Sequence, residues 1–500
     1  MPLLRSVARA PRRRSVLAAT LAAPLLAGCF APVEKGGGGD KRIRVAMMQP
    51  PRSGLSPLSD DAFKLARWST AETLVRLDAE GNAQPMLATG WRQEGRTWIF
   101  TLRPGVTFHD GTRLTARDVV RSLERAAGAS PKPRILDGVD LTVRTDGETV
   151  RISTAQADPL VPQRLSSPQL SILAASAYGK KTVDPVGAGT GPFVLTDSGG
   201  TSFATLDRYD AYWGGRARAA GIDVTYIPDG TARAAALRSG AADVVEAIPV
   251  AQAPLLDEEQ IAEVPMPRTN TLYLNTESGP FRDPALRAAA RAAVDAGPIV
   301  RDVYEGRADT ADGLLGPALP WAAALRGEIG GRAAAGDPKG AEITIGTFTD
   351  RAELPEVAAV LQQQLQKAGF RVGLEIREYA AIEADALAGK FDAFVLSRAT
   401  VLDSGDPAAY LYSDFASDGS FNLAQLADAA VDTALDRAGE TPVGDARRRA
   451  VVAAEAAVLR TDAVIPMLHE RVIQGDATGV VGSVKDPRER ELISIDTYVK

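Results

Sequence analysis

The chain is poor in the side chains that most often carry out chemistry. Among 500 residues there is one cysteine, Cys29, and there are two histidines, His109 and His469. One cysteine excludes an internal disulfide and a cysteine-based metal centre, and two distant histidines are thin material for a metal site or a general base. Neither a Gly-x-Ser-x-Gly elbow nor a His-Glu-x-x-His helix occurs, so the common serine-hydrolase and zinc-protease signatures are missing. No pair of carboxylates is singled out for glycoside hydrolysis, although motif alone does not exclude one. No catalytic residue, metal ligand or cofactor is therefore assigned. What remains is binding chemistry. In Asp403-Ser404-Gly405-Asp406-Pro407 the carboxylate of Asp403 could hold a cation by a charge-assisted hydrogen bond. Arg398, just upstream, carries a planar fork suited to a carboxylate or a phosphate, although an arginine there is more often a structural charge. Asp406-Pro407 reads as a turn.

Charge is unevenly spread. Lys plus Arg number 57 against 63 Asp plus Glu, and this acidic balance argues against nucleic acid as a partner. Yet residues 1–28 hold five arginines and no acid, followed by the apolar run Val16 to Leu26, which reads as an export signal too short to span a bilayer. Its end, Leu26-Ala27-Gly28-Cys29, resembles the bacterial lipobox, in which cleavage before the cysteine is accompanied by acylation. Arg13-Arg14-Ser15-Val16-Leu17 also resembles a twin-arginine signal, with Val where Phe is usual, so the export route stays open. Gly36 to Gly39 then forms a flexible tether. Cleavage would leave 52 basic against 63 acidic residues, a net charge of −11, and lipid on Cys29 as the membrane attachment.

The body must position the remaining candidates, and its texture is ordinary globular: 45% hydrophobic residues and length for two to four domains. Arg42 to Met48 alternates as a strand, and Asp61 to Val75 reads as a helix. Thr97 to Leu102 is a strand, and Thr115 opens a helix with Asp118 in a capping-box position. Val139 to Val143 and Thr149 to Ser153 flank the turn dipeptide Asp146-Gly147 as a hairpin. Helices are expected over Pro284 to Ala296, Leu354 to Ala368 and Thr441 to Arg460. With strands at Ile343 to Phe348, Val372 to Arg377 and Ala393 to Ser397 among them, they imply an α/β body with parallel strands. Gly187 to Gly191 looks superficially like a phosphate loop, but Pro192 and a strand follow instead of a helix N-terminus. His109 before Asp110-Gly111 reads as a turn residue, and Trp213 as packing.

Four ordered blocks resemble a known family. They are Pro85-Met86-Leu87-Ala88 through Thr97 to Gly111 and Leu114 to Leu123; Gly189 to Phe193 with Asp210 to Gly215; Ile227 to Asp243; and Asp403 to Pro407. Together they are similar to the family 5 bacterial extracellular solute-binding proteins, the oligopeptide, dipeptide and nickel receptors of ABC importers. The resemblance implies an α/β, bilobal periplasmic-binding-protein-like (Venus flytrap) fold with two hinge crossings and an extra domain in the first lobe. The first lobe would comprise residues 41–75, 186–270 and 474–500, the extra domain 76–185 and the second lobe 271–473, with crossings near Thr269 to Asn275 and His469 to Gln474. Hinge closure over a solute is the working motion of such receptors.

In the family's peptide binders the first Asp of the Asp-x-x-Asp-Pro segment holds the ligand's α-ammonium, which makes Asp403 the first candidate contact. A loop-capping role for Asp403 is the structural alternative. Arg398, Tyr273 and Asn275 are further candidates, the last two because peptide receptors hold the ligand backbone as an added strand. Family members often carry a Trp before this Asp; here Arg398 to Leu402 stands instead, which leaves the ligand open. The leading expectation is a monomeric, lipid-anchored receptor outside the cell membrane that captures a small solute, most readily a peptide, for an ABC permease. The alternatives are a non-transport sensor or adhesion lipoprotein, and a receptor for a metal chelate, opine-like or sugar solute. A secreted hydrolase is the remaining class.

Overall fold

The computed structural model describes residues 41–136, 138–180, 182–351, 353–401 and 404–500. Cys29 and the tether, together with Asp403, lie outside the described residues.

Strand Arg42–Met47 is flanked in parallel by Gly221–Tyr226 and Val244–Ile248, and the sheet continues antiparallel through Phe203–Arg208 and Phe193–Ser198. A second set repeats the arrangement: Glu342–Phe348 lies parallel between Arg371–Arg377 and Ala393–Ala399. Ala393–Ala399 is buried over its first five residues, as a strand covered on both faces should be. Two long antiparallel strands, Ile261–Leu274 and Val464–Asp476, join the sets into one 11-stranded sheet. The molecule is thus a two-lobed α/β fold, with the two long strands crossing between the lobes.

Each lobe has its own apolar core. The first is built around Trp68, Phe100, Phe108 and Phe193, and the second around Tyr273, Phe281, Leu361 and Phe415. The first lobe also carries a four-stranded antiparallel sheet in the order Ala88–Glu94, Thr97–Leu102, Thr149–Thr154, Leu141–Asp146. Helix Ala116–Ala127 buries Val119, Leu123 and Ala126 against it, and the Asp118 carboxylate accepts the Thr115 amide at 3.0 Å, closing the capping box. The expected hairpin is present, with Gly147 at φ 60 in its turn.

Three expected helices are shorter than their sequence pattern. Pro284–Ala293 and Asp445–Arg460 each lose a few terminal residues. The helix read over Asp61 to Val75 spans only Ala62–Arg67, and Ser69 turns the chain with φ 51. The cause is tertiary. The loop Gly189-Thr190-Gly191 lies so close to this segment that a Cβ at Gly191 would sit 1.9 Å from the Ser69 carbonyl oxygen, and one at Gly189 2.0 Å from that of Thr70. The glycines that look like a phosphate loop are thus explained by close backbone approach. His109 locks the same loop: its amide donates to the Gly189 carbonyl, and its Nε2 lies 2.9 Å from the Gly191 oxygen. Burial pushes the His109 pKa down to about 4, so the ring is neutral. No helix among the described residues is long and apolar enough to cross a membrane.

Candidate functional site

The carboxyl ends of both sets of parallel strands face the crossing. In the first lobe Val244–Ile248 ends with Ile248 opposite Ile473; in the second, Ala393–Ala399 ends with Ala399 opposite Arg268. In open α/β sheets this edge is where ligands bind, because the loops leaving it converge there. Between Pro265 and Thr269 the register of the two long strands shifts. The switch point is fastened by Thr269, whose Oγ1 donates to the Leu314 carbonyl at 2.7 Å and lies 2.9 Å from Nδ1 of His469. His469 is buried, and burial together with nearby Arg326 pushes its pKa down to about 4.

Several arginines lie near this crossing, Arg471 opposite Pro265 among them, and four others bear on the candidate site. Arg398 makes a two-pronged ion pair with Asp414, both contacts 2.7 Å, and its guanidinium lies 4.0 Å from the Phe421 ring centroid. Asp414 is 0% exposed. Burial pushes its carboxyl up to about 6, against the pull of Arg398. Arg351, in the loop after Glu342–Phe348, pairs with Glu470 at 2.9 Å. From the first lobe Arg67 bridges Glu246 and Glu489. The fourth, Arg268, is different. Its side chain makes no hydrogen bond or ion pair with any described residue, and its Nε is buried without a partner. Burial, then the charge of Arg351, holds its pKa below the usual arginine value, while Glu470 and Glu489 act in the opposite sense.

The lobes also touch at the rim. The hairpin Val75–Leu77 and Ala83–Pro85 carries its turn, organised by the Asp78 carboxylate, toward the second lobe. There Arg448 donates to Asn82 Oδ1 at 3.2 Å, and Gly81 faces Gly405 closely enough that a Cβ on it would lie 2.8 Å from the Gly405 oxygen. Asp406 is bound by the Arg447 fork and caps Ala408, in keeping with a turn role.

Tyr273 is 1% exposed, stacks on Phe415 at 6.2 Å and belongs to the second-lobe core. Asn275 is spent internally: its amide donates to the Gly389 carbonyl at 2.9 Å and its oxygen accepts two backbone amides. Both therefore serve the fold. Arg398 stands at the strand end, but its fork is already engaged by Asp414. Asp403 lies outside the described residues, between Val401 and Ser404.

Two charged residues carried no weight in the sequence reading. Glu72, 2% exposed, accepts from Thr190 Oγ1 (2.8 Å), Tyr212 OH (2.7 Å) and Trp213 Nε1 (2.9 Å), tying together the two halves of the second signature block. Burial pushes its carboxyl up to about 7 against those three donors. Arg268 is the other. Each is the lone charge in an uncharged stretch, Trp68 to Val75 and Val264 to Thr276, and that isolation was the available signal. No cluster of three metal-ligating side chains occurs among the described residues.

Residues 82–422 match the family model described as bacterial extracellular solute-binding proteins, family 5 Middle. The chain belongs to this family. Such a family 5 protein is the substrate-binding component of an ABC importer, and its relatives fit that role. The glutathione-binding protein GsiB of Escherichia coli K12 is 25% identical over 510 residues, covering 95% of this chain and 97% of that protein. A solved nickel ABC transporter protein of Bacillus halodurans superposes with a TM-score of 0.78 at 26% identity, covering 92% of this chain and all of the other. The unliganded open form of the periplasmic murein tripeptide binding protein MppA has a TM-score of 0.77 at 19% identity over 93% and 99% of the two chains, a likeness of fold.

Proposed function

We propose that this family 5 protein captures a peptide between its lobes and delivers it to an ABC permease, tethered outside the membrane by lipid on Cys29. The observation that carries the reading is the convergence of the strand carboxyl ends of both lobes on one charged crossing, where closure would enclose a small zwitterion. GsiB, whose name records glutathione, a tripeptide, points to the same ligand class. A metal chelate is less well served, since both histidines have a ring nitrogen against an internal partner.

On this reading Asp403 receives the peptide's α-ammonium, as the family resemblance implies. The test is a thermal-shift screen of the purified protein with di- and tripeptides, glutathione among them. A true ligand at one hundred times its Kd should stabilise by about 2.7 kcal/mol. Asp403→Ala should weaken peptides with a free amino terminus and leave N-acetylated ones unchanged. If no peptide raises Tm, the peptide assignment is wrong; if both classes weaken equally, Asp403 does not hold the ammonium. For the anchor, Cys29→Ala should move the protein from the membrane fraction to the soluble one and abolish palmitate labelling. Persistent labelling would remove the lipid from Cys29.

A further inference from the structure

Arg268 is the one arginine of the crossing whose fork meets nothing among the described residues. Its neighbours are accounted for: Arg351 holds Glu470, Arg398 holds Asp414, and Arg67 holds both Glu246 and Glu489. Glu470 and Glu489 act on Arg268 through space, without an ion pair. The residue is half-buried, with its Nε shut off from water and unpartnered, and a cation partly withdrawn from water in this way is normally compensated. The residue stands at the carboxyl-end edge of the second-lobe sheet, opposite Ala399. It sees charges of the second lobe (Arg351) and of the first (Glu489) at once. Two residues on, on the same strand face, Asn270 leaves its buried Oδ1 without a partner, and so does the hydroxyl of Ser397 directly across from it. This wall of the crossing therefore has spare hydrogen-bonding capacity around an unpaired cation.

Building on the solute-binding reading, we infer that Arg268 is a ligand-binding residue whose guanidinium receives a carboxylate of the solute, so that the protein selects carboxylate-bearing ligands. The planar fork gives two parallel N–H donors matched to the two oxygens of a carboxylate, which a lysine cannot supply. The closing lobes remove water from the pair, and its strength grows as they do so.

The test is calorimetric titration of the wild type, Arg268→Gln and Arg268→Lys with four probes: tri-alanine, its C-terminal amide, Ala-Glu-Ala-amide and the non-peptide dicarboxylate glutarate. Loss of one partner of a desolvated charge pair weakens binding by roughly thirtyfold or more. Arg268→Gln should show that loss for carboxylate probes and none for the tri-alanine amide, with Arg268→Lys intermediate. Tri-alanine against its amide reports a terminal carboxylate, and Ala-Glu-Ala-amide a side-chain one. Ligand-free Arg268→Gln should melt no lower than the wild type, because no internal partner is lost when this unpaired, half-buried charge is removed. Acid and amide binding equally, unchanged in Arg268→Gln, overturns the inference and leaves the peptide reading intact. Glutarate binding that depends on Arg268, with no peptide bound, supports the inference and overturns the peptide reading. Failure of all four probes to bind overturns both, and a clear fall in the ligand-free Tm of Arg268→Gln assigns Arg268 to the fold instead.

Discussion

Arg398→Ala is expected to destabilise the second lobe by about 3–5 kcal/mol, the range for removing one partner of a buried ion pair. The size follows from Asp414, which is fully buried and whose two carboxylate oxygens are both taken by the Arg398 fork. Without the arginine, burial alone acts on Asp414, and its carboxyl rises further above its usual range. A carboxyl raised in the folded state stabilises the fold below its unfolded pKa and loses that contribution as pH climbs through the folded value. The variant should therefore melt closer to the wild type at pH 5 than at pH 8. Arg398→Met combined with Asp414→Leu should recover much of the loss, since an apolar pair replaces a buried charge pair at little net cost. Thermal melts at the two pH values check this. A pH-independent loss, or no rescue, would show that the pair is not what holds the strand end. Lost peptide binding with unchanged Tm would return Arg398 to the ligand.

Glu72 gives the second large effect, in the other lobe. Its carboxyl stands at about 7 in the folded protein against about 4.3 in an unfolded chain, which amounts to about 4 kcal/mol. The sign is set by the raised value: this stability is present in full below about pH 4.3 and has gone by the time pH passes 7. Glu72→Ala should be strongly destabilising at every pH, because Thr190, Tyr212 and Trp213 are left facing a void, each orphaned donor costing about 1–3 kcal/mol. Glu72→Gln keeps the volume and cannot ionise, so its stability should no longer fall between pH 4.5 and 7 on Glu72's account. Chemical unfolding of the two variants across that pH window measures both effects. An unchanged pH slope in Glu72→Gln would remove Glu72 as its source.

Local chemistry was readable in the chain wherever it was self-contained. Thr115 with Asp118 announces a helix start, Asp146-Gly147 a hairpin, and the β-rich runs around Ile343 and Val372 a parallel sheet, because each rests on neighbours in sequence. The early end of the helix at Arg67 was not readable: its cause is the backbone of Gly189 and Gly191, and only their close approach forbids the continuation that the apolar pattern favours. The site was harder still. In a strand covered on both faces, alternation separates Tyr273 from Leu272 without saying which side meets the core and which the solute. Tyr273 proves to be core. The spacing of Arg398 from Asp414 belongs to no helix or strand periodicity, so their pairing could not be seen before folding. For Arg268 the chain offered only its isolation as the lone charge between Val264 and Thr276; the neighbouring ion pairs, made on folding, are what leave its fork apart.

The order of strands in the joined sheet has a consequence for how the molecule is made. The first lobe is closed by the last long strand, whose Gly475 and Asp476 pair with Val245 and Val244, and Arg67 is held by Glu489, 422 positions further along the chain. Contacts of such sequence separation form late, because a very long loop must close before they yield any stability. The amino-terminal half thus leaves a sheet edge and part of its core unfinished until the carboxyl-terminal segment arrives. Folding of this lobe is a late, whole-chain event, and the edge beside Val244–Ile248 is the place where premature pairing with another chain would begin.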